Sequence, residues 1–162
     1  MNARTTRALA ATLSLTAALA ISGCSSESGG ATSDSAKPTL TVSGAFMPEP
    51  VDDKMAGAFM VVTNDSKTPD KLTGLTSPLS DDLQIHETKD QKMRQVSSLD
   101  VPANGRLSLE RGGSHVMFMG LKSKPKVGDK VKVELKFEKA DPITIELDVK
   151  DRTYTGQSSS AH

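Results

Sequence analysis

KVKVELKFE, residues 130–138, decides the fold class. Val131, Val133, Leu135 and Phe137 alternate with lysines and glutamates, and a period of two sends the two sets to opposite faces of an extended chain. This is the pattern of an antiparallel strand with one face buried and the other in water. The same alternation recurs in LTVSGAF (40–46), AGAFMVVTN (56–64), LQIHETK (83–89), RLSLE (106–110), SHVMFMGL (114–121) and ITIELDV (143–149). Between these runs stand turn signals such as Asn64-Asp65, Thr68-Pro69-Asp70, Ala103-Asn104-Gly105, Gly112-Gly113 and Val127-Gly128-Asp129. No stretch carries an amphipathic helix of three turns. Seven or eight strands at short intervals predict an all-β domain, a Greek-key sandwich or barrel.

Outward from these strands the composition changes. The first twenty-four residues carry Arg4 and Arg7, an uncharged Ala/Leu/Thr stretch, then small residues before Cys24, the only cysteine of the chain. That is the pattern of an export signal, with an apolar part too short to span hydrocarbon. Ile21-Ser22-Gly23-Cys24 resembles a bacterial lipobox, which makes residues 1–23 a lipoprotein signal peptide and Cys24 the lipidated first residue of the mature chain. Such a protein is expected outside the cytoplasm, anchored to the cell membrane. Residues 24–37 hold the lipidated cysteine and a Ser/Gly/Ala tether. Residues 38–152 form the β domain, and 153–162 read as a polar, disordered tail.

The whole chain has 162 residues, 36% of them hydrophobic, with 20 basic and 20 acidic side chains. A length of this order suits one core. The charge balance gives no reason to expect nucleic acid as a partner. With its cysteine committed to lipid, the fold has no intrachain disulfide and the chain offers no thiolate for catalysis or metal binding. No Gly-x-Ser-x-Gly elbow, phosphate loop or His-Glu-x-x-His helix is present, so an enzyme has little support.

Metal chemistry has more. His115 and Met117 lie two apart on a predicted strand and leave the same face, while Val116 and Phe118 face a core. In LQIHETK, Leu83 and Ile85 share one face and Gln84, His86 and Thr88 the other; Met93 follows in a polar segment. Taken singly, each methionine reads as core filling or a surface residue, and His86 as an exposed strand histidine. As a set, two imidazoles and two thioethers suit a soft ion, and copper, as Cu(I), with Cu(II) as the alternative state, fits better than magnesium, calcium or zinc. Met47, Met55 or Met60 could stand in for Met93 on this reasoning.

The order His86, Met93, then twenty-one intervening residues, then His115-x-Met117, resembles the motif of periplasmic copper chaperones of the PCu(A)C type. The similarity runs from about Ser43 to Arg152 and includes AGAFMVVTN, SHVMFMGLK and VGDKVKVELKFEKA. The family's first spacing is ten residues, whereas six separate His86 from Met93 here, as a shorter hairpin around Thr88 to Gln91 would explain. The resemblance implies a cupredoxin-like fold and one copper held by His86, Met93, His115 and Met117. It implies a monomer that delivers Cu(I) to cytochrome c oxidase subunit II, alongside a Sco-type thiol protein. By spacing Met119 shares the ligand face, but the family motif does not use it, which leaves it to packing beneath the site; His162 reads most simply as a tail residue, with a weak Cu(II) contact as the alternative. Two other readings stand beside it: a copper buffer without a dedicated acceptor, and a metal-free lipoprotein sandwich for adhesion or scaffolding.

Overall fold

A computed structural model of the chain describes residues 37–156. Cys24, the leader, most of the tether and His162 lie outside the described residues. The ten strands are β1 (Leu40–Pro48), β2 (Met55–Asn64), β3 (Asp70–Thr76), β4 (Asp82–Lys89), β5 (Lys92–Val96), β6 (Leu99–Val101), β7 (Gly105–Leu109), β8 (His115–Met119), β9 (Lys130–Phe137) and β10 (Ile143–Lys150). Among the described residues there is no helix. The all-β architecture is the one the alternation predicts.

Hydrogen bonding runs continuously through the order β5-β4-β8-β2-β1-β10-β9-β3-β6, with β7 joined to β2. Every pairing is antiparallel except β1 with β10. β2 links the two layers: residues 55–58 pair with β8 and residues 60–64 with β7. β3 approaches β4 and β6 approaches β7, so the path folds over on itself around one core.

That core holds Val131, Val133, Leu135 and Phe137 from β9, all buried, together with Phe118, Met47, Met60, Leu72 and Leu147. Each such side chain contributes roughly 1.5–3 kcal/mol by leaving water. Among the described residues four polar side chains are buried, Asn64, Asp70, Ser80 and His115, and the first two hold turns in place. Asn64 donates from Nδ2 to the Thr68 carbonyl at 2.9 Å and accepts from the Ser66 amide at 3.0 Å. The Asp70 carboxylate accepts the Lys139 and Ala140 amides at 3.0 and 2.8 Å, tying the start of β3 to the end of β9. Satisfied in this way, buried polar groups fix the turns instead of destabilising them.

Three strands were not predicted, each for a physical reason. In β3 the register shifts between Leu72 and Gly74, so Leu72 and Leu75, three apart, both face the core and the period of two breaks. β5, KMRQV, is a sheet edge with almost every residue exposed, so it has no apolar face to alternate. β6 has only three residues.

The tail also differs from expectation at its start. Tyr154, placed in a disordered tail on composition, packs its ring edge-on against Phe46 with centroids 4.8 Å apart, and its amide donates to the Asp151 carbonyl. Burial of an aromatic pair, which composition does not reveal, holds residues 153–156 to the domain.

β4 and β5 form a tight hairpin in which Lys89 pairs with Lys92 across a two-residue turn. Asp90 and Gln91 both have positive φ, 51° and 61°, as a type I′ turn requires. A glutamine there bears a left-handed penalty of roughly 1–2 kcal/mol that glycine avoids. Gln91→Gly, giving the favoured Asp-Gly turn, is therefore expected to stabilise the chain by up to about 1 kcal/mol, part of the gain being offset by the glycine's greater freedom when unfolded. A chemical-denaturation midpoint no higher than the parent's would contradict this.

Candidate metal centre

The outward face of β4, β8 and the first half of β2 is laid out in rows by strand register. In one row, His115 on β8 pairs with His86 on β4, which pairs with Gln95 on β5, and the Phe59 ring from β2 stands beside His115. The next row toward the end of β8 places Gly57, Met117 and Gln84 together. On the other side of the histidine row, Thr88 pairs with Met93. Val116, Phe118 and Ile85 point the other way into the core. The register thus brings His86 and His115 directly opposite each other, with ring centroids 5.4 Å apart.

The tautomer of each ring follows from its partners. The Asp82 carboxylate accepts from Gln84 Nε2 at 3.0 and 3.3 Å, which turns the Gln84 carbonyl oxygen toward His86 Nε2 at 3.1 Å. His86 therefore donates from Nε2 and carries its lone pair on Nδ1. That Nδ1 is buried and, among the described residues, has no hydrogen-bond partner. His115 is buried, and its Nδ1 donates to the Gly113 carbonyl at 2.9 Å, leaving the lone pair on Nε2. The same carbonyl accepts the Thr88 hydroxyl at 3.0 Å, so the Gly-Gly-Ser turn before β8 fastens the ring to β4. Each imidazole has one nitrogen anchored to the protein and the other free, the arrangement that orients histidine as a metal ligand.

Burial, and then repulsion from His115, lower the pKa of His86 below the ordinary imidazole value. The ring stays neutral, and able to ligate, at pH values where an ordinary histidine is protonated.

The thioethers are placed less tightly. Met117 is partly buried beside the histidine row. Met93 is on the same face but 58% exposed, diagonal to His86 across the hairpin. Cross-strand diagonals of about 7–8 Å are within reach of a side chain with three rotatable bonds. The short hairpin thus keeps Met93 on the same face as His86. Of the possible substitutes, Met47 and Met60 are in the core, and Met55 lies beyond Met117 on the outward face. Met119 shares the outward face of Met117, as its spacing predicts, and stands partly exposed opposite Met55 rather than packed beneath the site. Among the described residues no three His, Cys, Asp or Glu side chains converge as a metal site would need. What the face offers is an imidazole pair flanked by sulfur.

Sequence reasoning missed the supports of this pair. Asp82 and Gln84 share the His86 face at intervals of two, which is the signal that could have found them. Phe59 gave no signal. Its ring lies 6.2 Å from His115 and 5.3 Å from Phe46, with the Arg111 guanidinium 5.7 Å above it. A Cβ at Gly57 would meet that ring at 3.2 Å, so the missing side chain is what lets Phe59 lean toward the Met117 row. This aromatic wall is separate from the core and dries one side of the histidine pair.

Comparison with known proteins gives a consistent result. Residues 40–149 match the model of a family described as putative lipoprotein LpqE-like. A putative lipoprotein of Leifsonia xyli subsp. xyli, Lxx21020, is 31% identical over 159 residues, covering 91% of this chain and 93% of its own. Among solved structures, Cu(I)-bound DR1885 of Deinococcus radiodurans is 34% identical with a TM-score of 0.62, over 76% of this chain and 87% of that one. The copper-bound PCuAC domain of PmoF2 is 26% identical with a TM-score of 0.64, over 72% and 96%.

Proposed function

This chain belongs to the LpqE-like lipoprotein family and is of the PCuAC type, and from that premise we propose that it is an extracytoplasmic copper chaperone, anchored through a lipidated Cys24. It carries one Cu(I) on His86, His115, Met117 and Met93 and passes it to the copper centre of cytochrome c oxidase subunit II, alongside a Sco-type thiol protein. The observation that carries this reading is the buried Nδ1 of His86, which has no partner among the described residues and lies beside a second imidazole with a free lone pair. An unsatisfied buried polar atom costs roughly 1–3 kcal/mol, a cost that a bound metal ion removes.

With metal–nitrogen bonds of roughly 2.0–2.1 Å, two imidazoles whose centres lie 5.4 Å apart can share one ion at a bent angle. Thioethers from the flanking rows complete a neutral, soft ligand set that favours Cu(I). The absence of a thiolate ligand separates the site from a blue-copper electron carrier. Met93, exposed and at the edge, is suited to be the ligand exchanged first when an acceptor approaches.

Delivery distinguishes a chaperone from a buffer with the same site. When the Cu(I)-loaded chain is mixed with the apo copper domain of subunit II, the metal is expected to move to that domain. Retention of copper on this chain would leave the buffer reading in its place.

Acid provides a second check. His86 has a folded pKa below its unfolded value of about 6.5. As pH falls through 6.5, the unfolded chain takes up a proton that the folded chain resists, so the contribution of this ring to stability is present at higher pH and is lost toward the lower folded pKa. The apo protein is therefore expected to melt at lower temperature at pH 5 than at pH 7, and His86→Gln to remove part of that difference. Copper affinity should fall over the same range, because imidazole binds metal only when deprotonated. Affinity unchanged down to pH 4.5 would exclude the histidines as ligands.

A further inference from the structure

Beyond the histidine row and the Met117 row lies a third that supplies no ligand to the proposed copper centre. Met55 on β2 pairs directly with Met119 on β8, and Met119 pairs with Asp82 on β4. Met119 and Met117, two apart on β8, leave the same face. None of the three methionines belongs to the core, and Met55 is 50% exposed. Elsewhere the chain fills its core with Met47 and Met60, so the outward placing of these three is not a shortage of interior room.

Directly opposed side chains on paired strands have Cβ atoms about 4.5–5.5 Å apart, and neighbours at i and i+2 stand about 6.5–7 Å apart. Methionine, with three rotatable bonds, can bring its sulfur across either gap. Met55 and Met119 can therefore converge on one soft ion, with Met117 reaching it from the adjacent row.

We propose that Met55 and Met119 form a second, weaker thioether station for Cu(I), sharing Met117 with the histidine centre and lying on the path by which the ion enters or leaves it. Its place on a path rests on the copper-chaperone reading; its capacity to bind a soft monovalent ion does not. Movement along the face is ligand exchange: a thioether bond forms as an imidazole bond breaks, and the ion keeps its single charge throughout. Two neutral sulfurs without an imidazole hold the ion less firmly, as a transit position requires.

The test is a Cu(I) titration of the full-length chain, carrying 13C-labelled methionine methyls, under reducing and anaerobic conditions at neutral pH. The first equivalent is expected to shift the Met117 methyl and the rings of His86 and His115, and the second to shift the methyls of Met55 and Met119. The Met55→Leu, Met119→Leu double variant preserves side-chain volume on an outward face, so the fold should persist. It is expected to bind the first equivalent as the parent does, to bind the second at least about tenfold more weakly, and to release Cu(I) more slowly to excess chelator. A second equivalent that leaves Met55 and Met119 unmoved, or a leucine variant that takes up two equivalents like the parent, overturns the proposal. A first equivalent that leaves both histidine rings unmoved overturns the histidine centre instead, while shifts at Met55 and Met119 would still establish the station.

Discussion

The His86→Ala, His115→Ala double variant is expected to bind Cu(I) at least about a thousandfold more weakly than the parent, equivalent to roughly 4 kcal/mol of binding free energy. Both imidazoles present their free nitrogen because the other is held, His86 by the Gln84 carbonyl and His115 by the Gly113 carbonyl. Without them the face retains only thioethers, of which Met93 is mostly in water. Competition against a chromophoric Cu(I) chelator measures the change; an affinity within a few-fold of the parent's would place the metal elsewhere. The single variant His86→Ala separates function from stability. It removes a ring whose buried Nδ1 has no partner among the described residues, so the apo protein should lose little or no stability while copper binding collapses. Gln84→Leu removes only the group that fixes the His86 tautomer, and a loss of about 10–100-fold is expected.

Phe118→Ala is expected to destabilise the chain by about 3–5 kcal/mol, visible as a large fall in the urea midpoint. Phe118 is completely buried and lies on β8 between Met117 and Met119, so its ring pins the strand that carries half of the proposed copper centre. Small domains have only about 5–15 kcal/mol in total, which makes this a large fraction. Since copper binds the folded chain, the metal should raise the variant's midpoint more visibly than any packing change on the outer face. Met119→Leu, on the neighbouring outward position, should leave the midpoint within about 0.5 kcal/mol of the parent. Equal losses from the two substitutions would contradict the assignment of faces along β8.

Those faces are legible in the order of the residues alone. The alternation in SHVMFMGL separates His115 and Met117 from Val116 and Phe118, and KVKVELKFE separates its valines from its lysines, because strand geometry turns a period of two directly into sidedness. Legibility fails where that period is broken or lacking: at the irregularity in β3, along the polar edge strand β5, and at Tyr154, whose burial depends on Phe46 more than a hundred residues away.

Residue order alone carries an all-β chain, a lipobox-like cysteine ahead of it, and two histidines with several methionines, residue types that suit a soft ion. Folding in three dimensions adds that His86 stands opposite His115, that Asp82 and Gln84 set the ring's tautomer, that Phe59 walls one side, and that Met119 faces Met55. The reason is that side-chain alternation is local, whereas the choice of neighbouring strand and its register is fixed by how distant apolar faces share one core.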